Sequence, residues 1–221
     1  MKIAILGAGP VGEALARLAV GQGHEVKFGS RTPSRLAVLA DTLKCTVGTS
    51  EEAAEFGEIV VAAIPLGALR SLPEAAIGDK IVVDAMNYYP ERDGRIAALD
   101  ARTSTTSELV AAHLPRAKIV KAFNAVLAID LPSNTRPNTG PGRQALPIAG
   151  NDAASKAVIA GLHEQFAFDV LDTGLLRDSW RFERAKPAYC IPLDKVGLQR
   201  ALDSARREQE LPEGSWRRSD K

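Results

Sequence analysis

The chain has 221 residues, 45% apolar and 25% charged, with a formal net charge of +1. That balance is ordinary for a soluble globular protein of one large domain or one domain with an appendage, and it supplies no field suited to nucleic acid or an anionic membrane surface. No run approaches the ~18 apolar residues of a membrane span, and residues 1–30 read as strand, turn, helix and strand rather than as a signal peptide. Cys45 and Cys190 have no paired spacing, so reduced thiols in a cytoplasmic protein are expected. His24, His113 and His163 are scattered and read as structural, and no metal site is expected.

In chain order, Ile3, Ala4, Ile5 and Leu6 form a short buried strand that stops at Gly7-Ala8-Gly9-Pro10-Val11-Gly12, a G-x-G-x-x-G turn. Val11, Ala14, Leu15 and Leu18 then recur at helical spacing. In this strand–turn–helix setting Gly7 makes the tight turn, Gly9 lets backbone approach a pyrophosphate, and Gly12 lets the helix pack on the strand. The N–H groups at the helix start face the anion. A second strand, Glu25–Gly29, leads into Ser30-Arg31-Thr32-Pro33-Ser34-Arg35. NAD-using proteins of this kind carry an Asp or Glu here for the ribose 2′-hydroxyl. This loop has no carboxylate, and a 2′-phosphate favours guanidinium and hydroxyl donors. Ser30, Arg31, Thr32 and Arg35 therefore point to NADP(H), against the alternative of a solvated loop that happens to be basic.

A helix over 33–43 opens at Pro33 with Leu36, Leu39, Ala40 and Leu43 on one face. A short strand near Cys45–Val47 precedes a helix from Ser50, with Ser50-Glu51-Glu52 read as cap and acidic first turn. Glu58–Pro65 and Lys80–Asn87 are continuous apolar runs of the kind buried on both faces of a parallel sheet. Ile64, Pro65 and Asn87 end them at the rim where open α/β sheets bind ligands. Asn87 there is either a turn former or a contact for nicotinamide or ribose. Residues 88–102 read as irregular, Thr105-Thr106-Ser107-Glu108 as a capping box, and Lys118–Ala125 as a strand ending in Asn124 and Ala125.

Residues 131–145 form a long polar loop, read as a lid or substrate loop with a linker as the alternative. A strand over Leu146–Ala149 follows, then a helix capped by Asn151-Asp152 with Ala154, Ala157, Val158, Gly161 and Leu162 inward. Phe168–Leu171 is another strand. Trp180–Lys186 reads as helical up to Pro187, and Leu193–Arg207 as a last helix with Leu198, Ala201, Leu202 and Ala205 inward. The fold expected is an α/β, doubly wound, mainly parallel sheet, a Rossmann NADP-binding fold over 1–178. A small helical extension over 179–208 and a polar tail over 209–221 complete it.

Gly7–Gly12, Gly29-Ser30-Arg31, Val83-Asp84-Ala85-Met86-Asn87, Val120-Lys121-Ala122-Phe123-Asn124 and Pro147-Ile148-Ala149-Gly150-Asn151-Asp152 occur in the order found in one family. Through them the chain resembles the F420-dependent NADP oxidoreductases, also called NADPH-dependent F420 reductases. With Asp172-Thr173-Gly174 and Ser179-Trp180 it is also similar to the cytosolic NADPH domain of the six-transmembrane metalloreductases. Lys121–Ala125 lies nearer the metalloreductase side, and Gly-Ala-Gly-Pro departs from the Gly-Thr-Gly turn of the F420 enzymes. The resemblance spans about residues 1–193. It implies NADP(H) binding, a hydride passed to or from the deazaflavin F420 or to a flavin, and a homodimer.

Such a transfer needs two planar carriers held in contact and little side-chain chemistry, which agrees with the lack of a recognisable catalytic set. The expected placement has phosphates on Gly9–Val11 and nicotinamide near Ile64, Pro65, Asn87 and Asn124. The acceptor is covered by parts of 125–145 and by Trp180, with Arg136 and Arg143 either meeting an anionic tail or simply solvated. The competing readings are a reductase of free flavin or quinone, and a non-catalytic NADP-sensing protein. A pyrroline-5-carboxylate or imine-type reductase would need a longer helical domain than residues 175–208 supply.

Overall fold

The computed structural model describes residues 1–132, 143–212 and 214–215. Its eight strands are β1 Lys2–Leu6, β2 Glu25–Gly29, β3 Thr46–Gly48, β4 Ile59–Ala62, β5 Ile81–Asp84, β6 Lys118–Lys121, β7 Ala145–Gly150 and β8 Asp169–Asp172. They form one sheet in the order β3-β2-β1-β4-β5-β6-β7-β8. Neighbours pair in parallel except β6 with β7, which is antiparallel. The expected doubly wound, mainly parallel sheet is therefore observed, extended by two strands beyond the six-strand core of a Rossmann fold.

The apolar runs are continuous because successive residues serve opposite faces. Ile3, Ile5, Val61, Val83 and Val120 pack on one side with Leu15 and Leu18 of helix α1 (Pro10–Gly21) and Ile159 and Phe166 from the region of helix α8 (Ala153–Gln165). Ala4, Leu6, Val60, Ala62, Val82 and Ile119 pack on the other with Ala53 and Ala54 of α3 (Ser50–Phe56) and Val110 of α7 (Thr106–His113). A third cluster joins β7 to the C-terminal part through Phe182, Tyr189, Leu198 and Leu202, the last two on α9 (Lys195–Ser204).

Local structure departs from the sequence reading in several places. Thr49, not Ser50, caps α3: its hydroxyl accepts from Glu52 N–H at 3.1 Å while Glu52 Oε2 takes Thr49 N–H at 2.8 Å. Residues 33–43 split into a 3₁₀ turn (Pro33–Leu36) and α2 (Ala37–Leu43), as Leu36 sits outside helical geometry. The stretch after Tyr88 is not wholly irregular, since it holds two single turns, α5 (Pro90–Asp93) and α6 (Ala97–Asp100). Trp180–Lys186 is not an α-helix: a 3₁₀ turn spans Leu176–Phe182, and Ala185 then takes φ +64°, which ends any helical run. In α8 the buried face is Ser155, Ile159, Leu162 and His163, whereas Ala154, Ala157 and Val158 are exposed. An alanine-rich helix offers little contrast between faces, and His163 fixes the phase by stacking on Phe123 at 3.9 Å. Of the loop read over 131–145, residues 133–142 lie outside the described residues, and Ala145 already belongs to β7.

Candidate active site: a dinucleotide cleft and an adjoining cavity

The strand ends align. Gly29, Leu6, Ala62, Asp84 and Lys121 are register partners from one strand to the next, so β2, β1, β4, β5 and β6 finish on one line. At ~4.8 Å per strand this rim is roughly 19 Å long. The chain order reverses between β1 and β4, and that switch point is where such sheets form a ligand crevice.

Gly7 follows β1 at the switch. Its φ is +111°, and a Cβ there would lie 2.4 Å from the carbonyl oxygen of Ala63. Gly12 is equally confined, since its Cβ would stand 2.0 Å from the Gly7 carbonyl. Gly9 differs: nothing lies within 4 Å of the position a Cβ would occupy. It is the N-cap of α1 and supplies no side-chain cap, and Pro10 at the first helical position has no N–H. The orphan donors at this end belong to Val11 and Gly12, and the positive end of the helix dipole stands uncapped over open space. That arrangement suits a pyrophosphate. Ala8 and Val11 are half-buried against the core beneath it.

Beside the turn, Ser30 continues β2 and accepts from Thr32 N–H at 3.1 Å, which folds the loop back and leaves its own hydroxyl proton to donate. Arg31, Thr32 and Arg35 are exposed, and neither guanidinium pairs with a carboxylate among the described residues. Two unspent guanidiniums and two hydroxyls thus share one loop at the β2 end of the rim.

On the other side of the switch, Ile64 touches the Gly7 region and Pro65 is exposed. Asn87 and Asn124 are locked together. Asn87 Nδ2 donates to the Asn124 carbonyl at 3.0 Å, and Asn124 Nδ2 donates to Asn87 Oδ1 at 3.1 Å and to the Phe182 carbonyl at 3.0 Å. Asn124 is buried, and Phe123 before it adopts φ +58°, the bend that turns the chain into the rim. Ala125 is also buried, with its carbonyl accepting from Cys190 N–H at 3.1 Å, so it ties the chain after β6 to the C-terminal segment. Of the rim pair, Asn87 is the more accessible.

A cavity of about 280 Å³ adjoins this end of the rim, and its lining includes Tyr88, Arg95, Asp100, Arg102, Trp180, Glu183, Arg184, Lys186, Arg207 and Glu210. None of its lining residues comes from the glycine turn or the Ser30–Arg35 loop. The Tyr88 hydroxyl bonds Asp100 at 2.9 Å and accepts from Ile96 N–H at 2.9 Å. Lys186 Nζ donates to the carbonyls of Arg206, Arg207 and Gln209 at 2.8, 2.9 and 2.6 Å, clasping the C-terminal stretch around the cavity. Desolvation there pushes its pKa below the usual lysine value. Tyr89 and Tyr189 hydroxyls meet at 2.5 Å, a second link between the post-β5 segment and the C-terminal part.

The sequence reading placed Trp180 near the acceptor, and it does line this cavity. Arg143 is engaged elsewhere: its guanidinium donates to the carbonyls of Glu164 and Phe168 at 3.0 and 2.8 Å, at the corner joining α8 to β8. Arg136 lies outside the described residues. What the sequence reading missed is the polar set under the rim, Asp84, Thr106, Lys121 and Glu183. The visible signal was charge at the end of two otherwise apolar strands. Burial raises the thiol of Cys190 to about 12, which makes it a poor nucleophile. Among the described residues no group of three metal-ligating side chains gathers, and no helix is long and apolar enough to cross a membrane.

Fold, rim and relatives together point to one class, the NADP-dependent oxidoreductases built on a Rossmann fold, to which the chain is similar. The family model described as "NADP oxidoreductase coenzyme F420-dependent" matches residues 2–88, which bears out the resemblance read from the motifs. A structure from Arthrobacter sp. FB24, described as a proposed F420-dependent NADP-reductase, aligns with a TM-score of 0.69 at 29% identity, covering 81% of this chain and 87% of that one. The hypothetical protein SMa0349 of Sinorhizobium meliloti aligns at 0.76 and 27% identity over 88% of this chain and 96% of its own. The metalloreductase STEAP3 of Rattus norvegicus is 32% identical over 204 residues, which is 91% of this chain. The chain spans only 39% of that relative's length.

Proposed function

We propose that the protein transfers a hydride between NADP(H) and a planar deazaflavin or flavin acceptor, with F420 the first choice. The observation that carries this reading is the rim itself, which joins an uncapped glycine turn to a carboxylate-free basic loop and an asparagine pair. Gly7, Ala8, Gly9, Pro10, Val11 and Gly12 cradle the pyrophosphate, and Ser30, Arg31, Thr32 and Arg35 bind the 2′-phosphate. Ile64, Pro65, Asn87, Asn124 and Ala125 form the nicotinamide end. NADPH supplies the hydride, and the acceptor completes its reduction with a proton from solvent. The protein's part is to hold two flat rings in contact and exclude water between them. The acceptor lies against the cavity that Tyr88 and Trp180 line, and the protein works as a homodimer in the cytoplasm.

The test is to follow nicotinamide absorbance while purified protein meets NADPH with F420, FMN, FAD or a quinone. Rapid oxidation with F420 or a flavin supports the reading. Turnover with the quinone alone would make it a reductase of another acceptor, and tight NADPH binding with no turnover in any mixture would leave an NADP sensor.

A further inference from the structure

The rim and cavity leave unexplained a pair of charges buried on both sides beneath them. Asp84 and Lys121 face each other in register on β5 and β6, and both are 0% exposed. Lys121 Nζ donates to Asp84 Oδ2 at 3.1 Å, to Thr106 Oγ1 at 2.9 Å and to the Met86 carbonyl. Asp84 accepts from Met86 N–H at 3.0 Å and from the Ser107 hydroxyl at 2.6 Å. Both main-chain polar groups of Met86 are thus gripped by one ion pair, immediately before Asn87. From Thr106 the connection continues outward, since its N–H and hydroxyl donate to Glu183 Oε1 at 2.8 and 2.7 Å. Glu183 lines the cavity, and the preceding carbonyl, of Phe182, holds the Asn124 amide.

Stability does not account for this arrangement. Burying two charges costs several kcal/mol per ion, and well-packed apolar residues of similar volume commonly hold a fold as well or better. What an apolar pair cannot do is fix both the N–H and the C=O of Met86. We propose that Asp84 and Lys121 are positioning residues. They set where β5 releases Met86 and Asn87 and, through Thr106 and Glu183, hold that rim in fixed relation to the cavity wall. A hydride jump between two stacked rings demands such a relation, because small misplacements of the reacting atoms cost large factors in rate. The inference rests on the hydride-transfer reading, but it concerns geometry that can also be read without turnover.

The experiment compares the full chain with an Asp84→Leu/Lys121→Met double variant, which removes both charges and leaves neither stranded. A Thr106→Val variant removes the hydroxyl that joins Lys121 to Glu183, leaves the Thr106 N–H bond to Glu183, and keeps the pair. The readouts are thermal midpoint, NADPH affinity, hydride-transfer rate with its isotope effect from 4-deuterated NADPH, and fluorescence polarisation of bound NADPH. The double variant is expected to fold and to bind NADPH within about threefold of wild type, while hydride transfer slows by about tenfold or more with a larger isotope effect. The bound nicotinamide should also depolarise, and Thr106→Val should show the same pattern more weakly. Unfolding of the double variant would overturn the proposal, because the pair would then be structural. Wild-type transfer rate and polarisation in a folded variant would overturn it too. Were wild type to oxidise no NADPH with any acceptor, the hydride reading would fail on its own, and polarisation alone would decide the positioning role.

Discussion

His163 shows how one side chain can set an element's phase and a protein's acid limit together. It is fully buried, stacked on Phe123, with Nδ1 2.8 Å from the Ile159 carbonyl and no partner for Nε2 among the described residues. Desolvation lowers its pKa from 6.5 to about 4, against a smaller opposing effect of that hydrogen bond. The folded state therefore resists a proton that the unfolded chain accepts, so this histidine's contribution to stability falls as pH drops from 6.5 towards 4. The full loss is about 3 kcal/mol, from a shift of that size. Denaturant unfolding at several pH values measures it: His163→Phe keeps the stack and should lose less stability than wild type across that window. Equal losses in the two proteins would assign the acid sensitivity to other groups. The sequence showed only a lone histidine, and its burial depends on Phe123, 40 positions earlier in the chain.

At the scale of elements, the opening strand, turn and helix were the most legible part of the sequence. Strand, glycine spacing and helix period all agree there, and each is a local property. The two flanking glycines and the middle one do different jobs, and substitution separates them. Gly12→Ala drives a methyl into the Gly7 carbonyl, 2.0 Å away, and should destabilise the fold. Gly9→Ala meets open space, so the thermal midpoint should hold while NADPH affinity falls by about tenfold or more as the methyl takes the pyrophosphate's place. Undiminished NADPH affinity in the Gly9→Ala variant would remove the phosphate from this turn. Elements set by non-local contacts were less legible. The apolar runs at 58–65 and 80–87 overshoot β4 and β5 because composition does not mark where a strand leaves its neighbours. The 3₁₀ turn at Leu176–Phe182 depends on anchors such as Asn151 Oδ1, which takes Leu176 N–H at 3.0 Å. The polar set under the rim was hidden for the same reason: Asp84 and Lys121 lie 37 residues apart and meet only when β5 pairs with β6.

At the scale of the whole molecule, the sheet gathers separate parts of the chain onto one rim, with the basic Ser30–Arg35 loop at one end and the asparagine pair at the other. Fold class, glycine turn and basic loop were all readable from sequence because each recurs as a short motif. The adjoining cavity was not, because its walls come from the post-β5 segment, the 3₁₀ turn and the C-terminal stretch that Lys186 clasps. Binding of NADP(H) at this rim in preference to NAD(H) is what the proposed function requires. It is tested most directly by titrating the intact chain, and an Arg31→Ala variant, with NADPH and with NADH. NADPH should bind wild type more tightly by one or two charge-assisted hydrogen bonds of ~1.5–3 kcal/mol each, and the variant should lose much of that margin with NADH affinity little changed. Equal affinities for the two nucleotides in wild type, or an equal loss of both in the variant, would contradict the account.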